Sequence, residues 1–178
     1  MAGLAASLML VGSVSAQAQE RFALTTPGFL DNASFSVENA SNADDCGGKN
    51  VSPALSWNNA PAGTKSYAVI LHDPDGQKGL GVDHWVHYGI PASVHEIAVG
   101  VGGEGKLEGV GGKNSKGKDT YIGPCPPPTD AAHHYVIQLY ALDLAPEALA
   151  AGLSRTELQA KLKGHVLGNT SVVRRYQR

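Results

Sequence analysis

The chain has few of the patterns that announce catalysis. It carries no G-x-S-x-G elbow, no C-x-x-C pair and no H-E-x-x-H. Those absences remove the local signatures of an α/β-type serine hydrolase and of a zinc protease. Charge is also scarce: 17% of residues are charged, and the net charge is −2. No basic field is available to track a nucleic-acid backbone, and the adjacent Arg174 and Arg175 are too few to make one. After Val14 no apolar run approaches the length of a membrane span. Two stretches imitate nucleotide loops without their context. Gly100-Val101-Gly102-Gly103-Glu104-Gly105 fits G-x-G-x-x-G, but more glycine and lysine follow it where a helix is required. Gly111-Gly112-Lys113-Asn114 has Asn where a P-loop needs Ser or Thr for Mg²⁺.

What is abundant is turn-forming backbone, with 22 glycines and 10 prolines among 178 residues. Apolar residues make up 42%, enough for a core. The expectation is one mainly β domain over residues 19–178. Residues 1–18 read as a secretory signal. Leu4 to Val14 is a short apolar run, and Ala16-Gln17-Ala18 offers a small-x-small cleavage site, although no Lys or Arg precedes Arg21. Export suits a Cys46–Cys125 disulfide, stable in an oxidising compartment; two unpaired thiols are the other reading.

Phe22 to Thr26 and Ser34 to Glu38 read as early strands, the second from the alternation of Phe35 and Val37 with polar neighbours. Residues 39–53 and 100–120 read as loops. Leu55 to Trp57 is a short element. Tyr67 to Leu71 is a continuous apolar run, expected as a central strand buried on both faces. His84 to Ile90 and Tyr135 to Leu142 follow as strands. Simple alternation places His84, Val86 and Tyr88 on one face and Trp85 and His87 on the other. Ser154-Arg155-Thr156-Glu157 is a capping box, with Leu153 and Leu158 placed for a hydrophobic staple. The helix it opens runs along Leu158, Leu162 and Val166, to end at Gly164 or Gly168. A shorter helix is expected from Pro146.

The chemical signal is concentrated in two clusters. One is His72-Asp73-Pro74-Asp75 with His84-Trp85; the other is Gly123-Pro124-Cys125-Pro126-Pro127 with His133-His134-Tyr135. Each joins stiff backbone to histidine and a hydrogen-bonding partner. An imidazole supplies N–H donors to an anion, a neighbouring carboxylate fixes its tautomer, and a tyrosine adds a hydroxyl. Pro126 and Pro127 make a rigid wall without extra N–H groups. His87, His95 and His165 read as structural histidines. The Asp73-Pro74-Asp75-Gly76 stretch also reads as an ordinary turn. Zinc on Asp73, His84 and His133 is a competing reading, but the compact metal-ligand spacings are absent. No cofactor is called for.

These motifs, together with Cys46-Gly47-Gly48-Lys49-Asn50-Val51-Ser52-Pro53, Leu55-Ser56-Trp57, Pro61-Ala62-Gly63-Thr64-Lys65-Ser66 and Lys163-Gly164-His165-Val166-Leu167, resemble the phosphatidylethanolamine-binding protein family, in its bacterial branch. The resemblance runs from about Phe22 to the C-terminus. It implies a β-sandwich-like fold, with one or two late helices and a small cavity for phosphate or phospholipid headgroups. By position, Asp73 matches the first aspartate of the family's D-P-D-x-P motif and His84 the histidine of the next strand. Pro126 and Pro127 match its paired prolines, and His133 and Tyr135 the ends of its H-R-Y motif. Asp75, Trp85 and His134 are secondary candidates. The chain departs from the pattern at Gln77, which replaces the second proline, at His134, which replaces the arginine, and at Val86-His87-Tyr88-Gly89.

Three functions follow as expectations. The first is an exported bacterial protein, periplasmic or secreted, that binds a small anionic ligand without turnover. The second is an interaction module that inhibits a kinase or protease, as some relatives do. The third is a weak hydrolase using the His/Asp pair as general base, for which no nucleophile stands out once Cys125 is bridged.

Overall fold

The computed structural model describes residues 20–178, so the expected leader over residues 1–18 lies outside the described residues. The strands are β1 Ala23–Thr25, β2 Leu55–Asn58, β3 Ser66–Asp73, β4 Val82–Pro91, β5 Glu96–Ile97, β6 Val110–Gly111, β7 His133–Leu142 and β8 Val166–Tyr176. They form a small sheet in the order β1-β2-β5 and a large one in the order β6-β4-β3-β7-β8. Every pairing within the sheets is antiparallel. Among the described residues three short α-helices complete the fold: α1 Gly76–Gly79, α2 Val101–Glu104 and α3 Arg155–Leu162. The architecture is mainly β, as expected.

β3 explains the layering. Its residues alternate between two apolar cores. Tyr67, Val69 and Leu71 face the small sheet and pack with Leu55, Trp57 and Ile137. Ala68 and Ile70 face α3 and pack with Leu158 and Leu162. A strand covered on both sides needs apolar residues on both, hence the unbroken run from Tyr67 to Leu71. α3 starts where its capping box dictates. The Ser154 N–H donates to Glu157 Oε2 at 2.9 Å, and the Glu157 N–H donates to Ser154 Oγ at 3.3 Å. Burying Leu158 and Leu162 beneath it contributes about 1.5–3 kcal/mol each.

Several sequence expectations are corrected. Ser34 to Glu38 is not a strand: Ser34 forms one isolated bridge with Arg175, and a 3₁₀ turn follows at Val37–Asn39. The Asn39 side chain draws in the Ser36 N–H and hydroxyl at 3.0 and 2.9 Å, offering the backbone a local alternative to a sheet ladder. No helix starts at Pro146; residues 145–148 form a turn closed by the Ala148 N–H on the Ala145 carbonyl, with proline at a favoured turn position. α3 ends at Leu162, and Gly164 turns the chain with φ +85° into β8. Val166 therefore belongs to an edge strand and not to the helix stripe. The loop expected over residues 100–120 contains α2 and β6. α2 is a single turn bounded by left-handed Gly100 and Gly105. A Cβ at its Gly102 would stand 2.5 Å from the Trp85 ring, so that glycine serves packing.

Cys46 and Cys125 are joined by a disulfide across a sequence separation of 79 residues. The bond ties the loop after the 3₁₀ turn to the segment leading to β7. Replacing both cysteines by serine lowers the free energy of unfolding by about 4 kcal/mol. Urea denaturation of the oxidised protein against the double variant measures it; equal midpoints would contradict the bond as a strut.

Candidate functional site

Antiparallel pairing brings the C-terminal end of β3 beside the N-terminal ends of β4 and β7. Asp73, His84, His133 and Tyr135 stand at those strand ends, although up to 62 residues of sequence separate them. All four line one cavity of about 870 Å³, together with Cys125, Pro126 and Pro127. Tyr135 and Phe35 pack edge to face beneath it.

His84 reaches the cavity through a β-bulge. Leu71 pairs with Trp85 and His72 with Asp83, so His84 is the extra residue between two registers. The bulge resets the alternation. Val86 and Tyr88 face α3, whereas His84 turns to the opposite side, its ring 5.2 Å from that of Tyr135. The face-sharing of His84 with Val86 and Tyr88 expected from period two is thereby corrected. His84 Nδ1 lies 2.9 Å from the Ile122 carbonyl and donates to it, leaving Nε2 for the cavity. Burial lowers the pKa of this histidine, so the free site holds a neutral imidazole.

Asp73 organises the floor. Only 3% exposed, it accepts the Asp75 and Gly76 N–H groups on Oδ1 at 2.9 and 3.0 Å, and His133 Nδ1–H on Oδ2 at 2.8 Å. His133 Nε2 is 3.5 Å from Asp130. Burial disfavours the His133 cation, but the hydrogen bond and charge of Asp73, with Asp130 and Asp75 behind them, outweigh it and raise its pKa. The Tyr135 hydroxyl is pushed far above its ordinary range, first by burial and then by the Asp73 carboxylate, so it stays an O–H donor.

The wall is held from behind. The Ile122 N–H donates to the His84 carbonyl, the Gly123 N–H to Asn50 Oδ1 at 2.8 Å, and the Ser41 N–H to the Pro124 carbonyl. A Cβ at Gly123 would stand 2.2 Å from the Asn39 carbonyl oxygen, so only glycine permits this approach. Arg178 Nε donates to the Pro126 carbonyl at 2.7 Å. At the mouth, Lys116 reaches Asp44 at 3.3 Å, and Lys118 lies alongside. That exposed ion pair is weak, worth about 0–1 kcal/mol, and leaves the ammonium available.

The secondary candidates stand elsewhere. Trp85 lies in the core between the sheets, edge-on to Tyr121. Asp75 and His134 pair outside the cavity lining, Asp75 Oδ2 accepting the His134 N–H at 2.7 Å and its ring Nδ1–H at 2.9 Å. The backbone hydrogen bond from His134, then its ring, lowers the Asp75 pKa. This pair latches the turn after β3 to β7. Gln77, which stands where the D-P-D-x-P pattern has its second proline, has φ +50°, a conformation closed to proline. Sequence reading missed Asp130, Lys116, Lys118 and Asn50; only Asn50 lay inside a motif, and the lysines sit in an unremarkable glycine-rich loop. Among the described residues no His, Cys, Asp and Glu group is arranged to hold a metal ion, and no helix is long and apolar enough to cross a membrane.

The two floor histidines are expected to titrate in a fixed order, His84 below the ordinary histidine value and His133 above it, in ring-nitrogen NMR spectra. Because the folded pKa of His133 is raised, its contribution to stability is full below the unfolded value of about 6.5. It is lost as pH rises through the folded value. His133→Gln therefore removes a stability increment at about pH 5.5 that shrinks above neutrality; the reverse order of titration would refute this electrostatic layout.

The sequence model of the phosphatidylethanolamine-binding protein family matches residues 25–177. A UPF0098 protein of Aquifex aeolicus is 34% identical over 134 residues, covering 75% of this chain and 78% of that one. A putative lipoprotein, LppC, of Mycobacterium tuberculosis is 36% identical over 149 residues, covering 82% of this chain and 69% of its own. The crystal structure of Escherichia coli YbcL, described as a new member of the mammalian PEBP family, superimposes with a TM-score of 0.81 at 29% identity. It covers 88% of this chain and 98% of that chain. Family match, relatives and fold agree, and the chain belongs to the phosphatidylethanolamine-binding protein family.

Proposed function

We propose that the protein is an exported binding protein whose cavity takes a small anion of the phosphate or phospholipid-headgroup type, without turnover. The observation that carries this reading is the meeting of His84, His133, Tyr135 and Asp73 on the floor of one cavity with lysines at its mouth. The prolines give the wall a fixed shape, and the Asp73 network holds the floor before any ligand arrives, which reduces the ordering cost of binding. Tyr135 offers a hydroxyl, His84 its free ring nitrogen, and Lys116 and Lys118 a field that draws an anion inward. The family's name supports a lipid headgroup as one source of that anion.

Binding without turnover is supported by the state of the reactive groups. Cys125 is bridged, and the His133 ring lies between two carboxylates, with no hydroxyl nucleophile hydrogen-bonded to it. Export is supported by the leader-like residues 1–18, the disulfide, and a relative described as a lipoprotein.

Titration with phosphoethanolamine is expected to shift the His84 and Tyr135 ring signals at millimolar ligand or below. His84→Ala should weaken binding at least tenfold, a loss of about 1.4 kcal/mol or more. Silence at both rings with saturating ligand would remove the cavity as the binding site.

A further inference from the structure

The hydrogen-bond inventory of the cavity floor has a consequence for the ligand. Its donors are already committed. The Gly76 and Asp75 N–H groups go to Asp73, the Gly123 N–H goes to Asn50, and the Ile122 N–H goes to the His84 carbonyl. The Asn50 amide donates to the Tyr121 carbonyl at 3.1 Å. Pro126 and Pro127 have no N–H to give. His133 directs one ring nitrogen at Asp73 and the other at Asp130. The Tyr135 O–H is shared with the Asp73 carboxylate, so the floor group left without a partner for a ligand is His84 Nε2. With Nδ1–H held by Ile122, Nε2 of the neutral ring is a lone pair, an acceptor. A bare anion seated there would meet that lone pair and the Asp73 carboxylate, both repulsive.

Resting on the reading of the cavity as an anion site, we infer that the anion is taken up together with one proton, held between a ligand oxygen and His84 Nε2. The proton turns an acceptor into a donor, and it supplies the charge that the floor lacks. A ligand that carries its own acidic hydroxyl, such as a monoprotonated phosphate monoester, brings the proton with it. Sulfate or a phosphodiester headgroup cannot, so the proton comes from solvent and His84 becomes imidazolium.

The charges around His84 fit this account. From β3, Asp73 favours the cation and His72 opposes it, while Asp83 on β4 favours it more weakly. β7 brings the neutral Tyr135 hydroxyl and His133, whose charge is matched by Asp73 and Asp130. The surrounding segments bring Lys116, paired with Asp44, together with Lys118 and Arg178, whose Nε is held by the Pro126 carbonyl. Burial is the largest influence and keeps the ring neutral until a ligand arrives, so the bound anion is what raises its proton affinity. The site then selects for protonated or proton-accompanied oxyanions.

Calorimetric titration with sulfate in two buffers of different ionisation enthalpy, at about pH 7.5, counts the protons taken up. One proton per sulfate is expected, with affinity falling about tenfold for each unit of pH above the free His84 value. Ring-nitrogen NMR of the wild-type protein should show His84 Nε2 becoming protonated as sulfate is added, and His84→Gln should abolish the pH slope. Glycerophosphoethanolamine, a diester, is expected to show the same uptake. Tighter binding of that diester than of inorganic phosphate assigns the anion to a headgroup, and the opposite ranking assigns it to a free ion. Sulfate binding with flat affinity between about pH 6 and 8, or with Nε2 staying unprotonated, overturns the inference while leaving an anion site standing. No binding of sulfate, phosphate or the diester at any pH overturns both.

Discussion

The hydrogen bonds converging on the Asp73 carboxylate are the constraint on which the rest of the site depends. A carboxylate this deeply buried is costly unless its lone pairs are filled. Here two backbone N–H groups of the following turn and the His133 ring fill them. One side chain at the end of β3 therefore shapes the next turn, fixes the tautomer of a histidine on β7, and sets the electrostatics of the floor. Charge-assisted bonds to a carboxylate are about twice as strong as neutral ones, so loosening this node releases the turn after β3 and the floor together. The Asp75–His134 contact repeats the pattern at the surface and secures the same turn to the same strand.

A second constraint is the bulge at His84. A regular strand would carry that side chain to the α3 side, away from the cavity. Inserting one residue between the Trp85 and Asp83 pairings reverses its direction while keeping Trp85 in the core. The bulge also aligns the His84 carbonyl and ring with Ile122, which fixes the wall segment and the imidazole together. The two floor histidines thus differ in kind. His133 is compensated by carboxylates; His84 is desolvated and neutral. Their opposite proton affinities arise from position alone.

Much of this was legible in the sequence, and the reasons are physical. The apolar run of β3, the capping box of α3 and the rigid Pro126-Pro127 wall are local signals that tertiary packing does not overrule. Asp73, His84, His133 and Tyr135 could be matched because short motifs surround each of them. Other features were not legible. The direction of His84 depends on a register shift, which a period-two reading cannot contain. The strand expected at Ser34 to Glu38 lost to the Ser36 N–H and hydroxyl donating to the Asn39 side-chain oxygen. β8 was hidden because an edge strand with polar residues such as Asn169, Ser171 and Arg175 lacks a continuous apolar run. Asp130 and the mouth lysines come from turns with no periodicity, and the fold alone brings them to the site.

The proposed function turns on one cavity holding one anion against His84 and Tyr135. Its most direct test is a crystal structure grown with saturating phosphoethanolamine. The predicted result is the phosphorus atom inside the cavity, with one of its oxygens in hydrogen-bond distance of His84 Nε2 and the Pro126-Pro127 wall alongside. Phosphate density bound elsewhere on the molecule, with the cavity floor unoccupied by ligand at saturation, would contradict it.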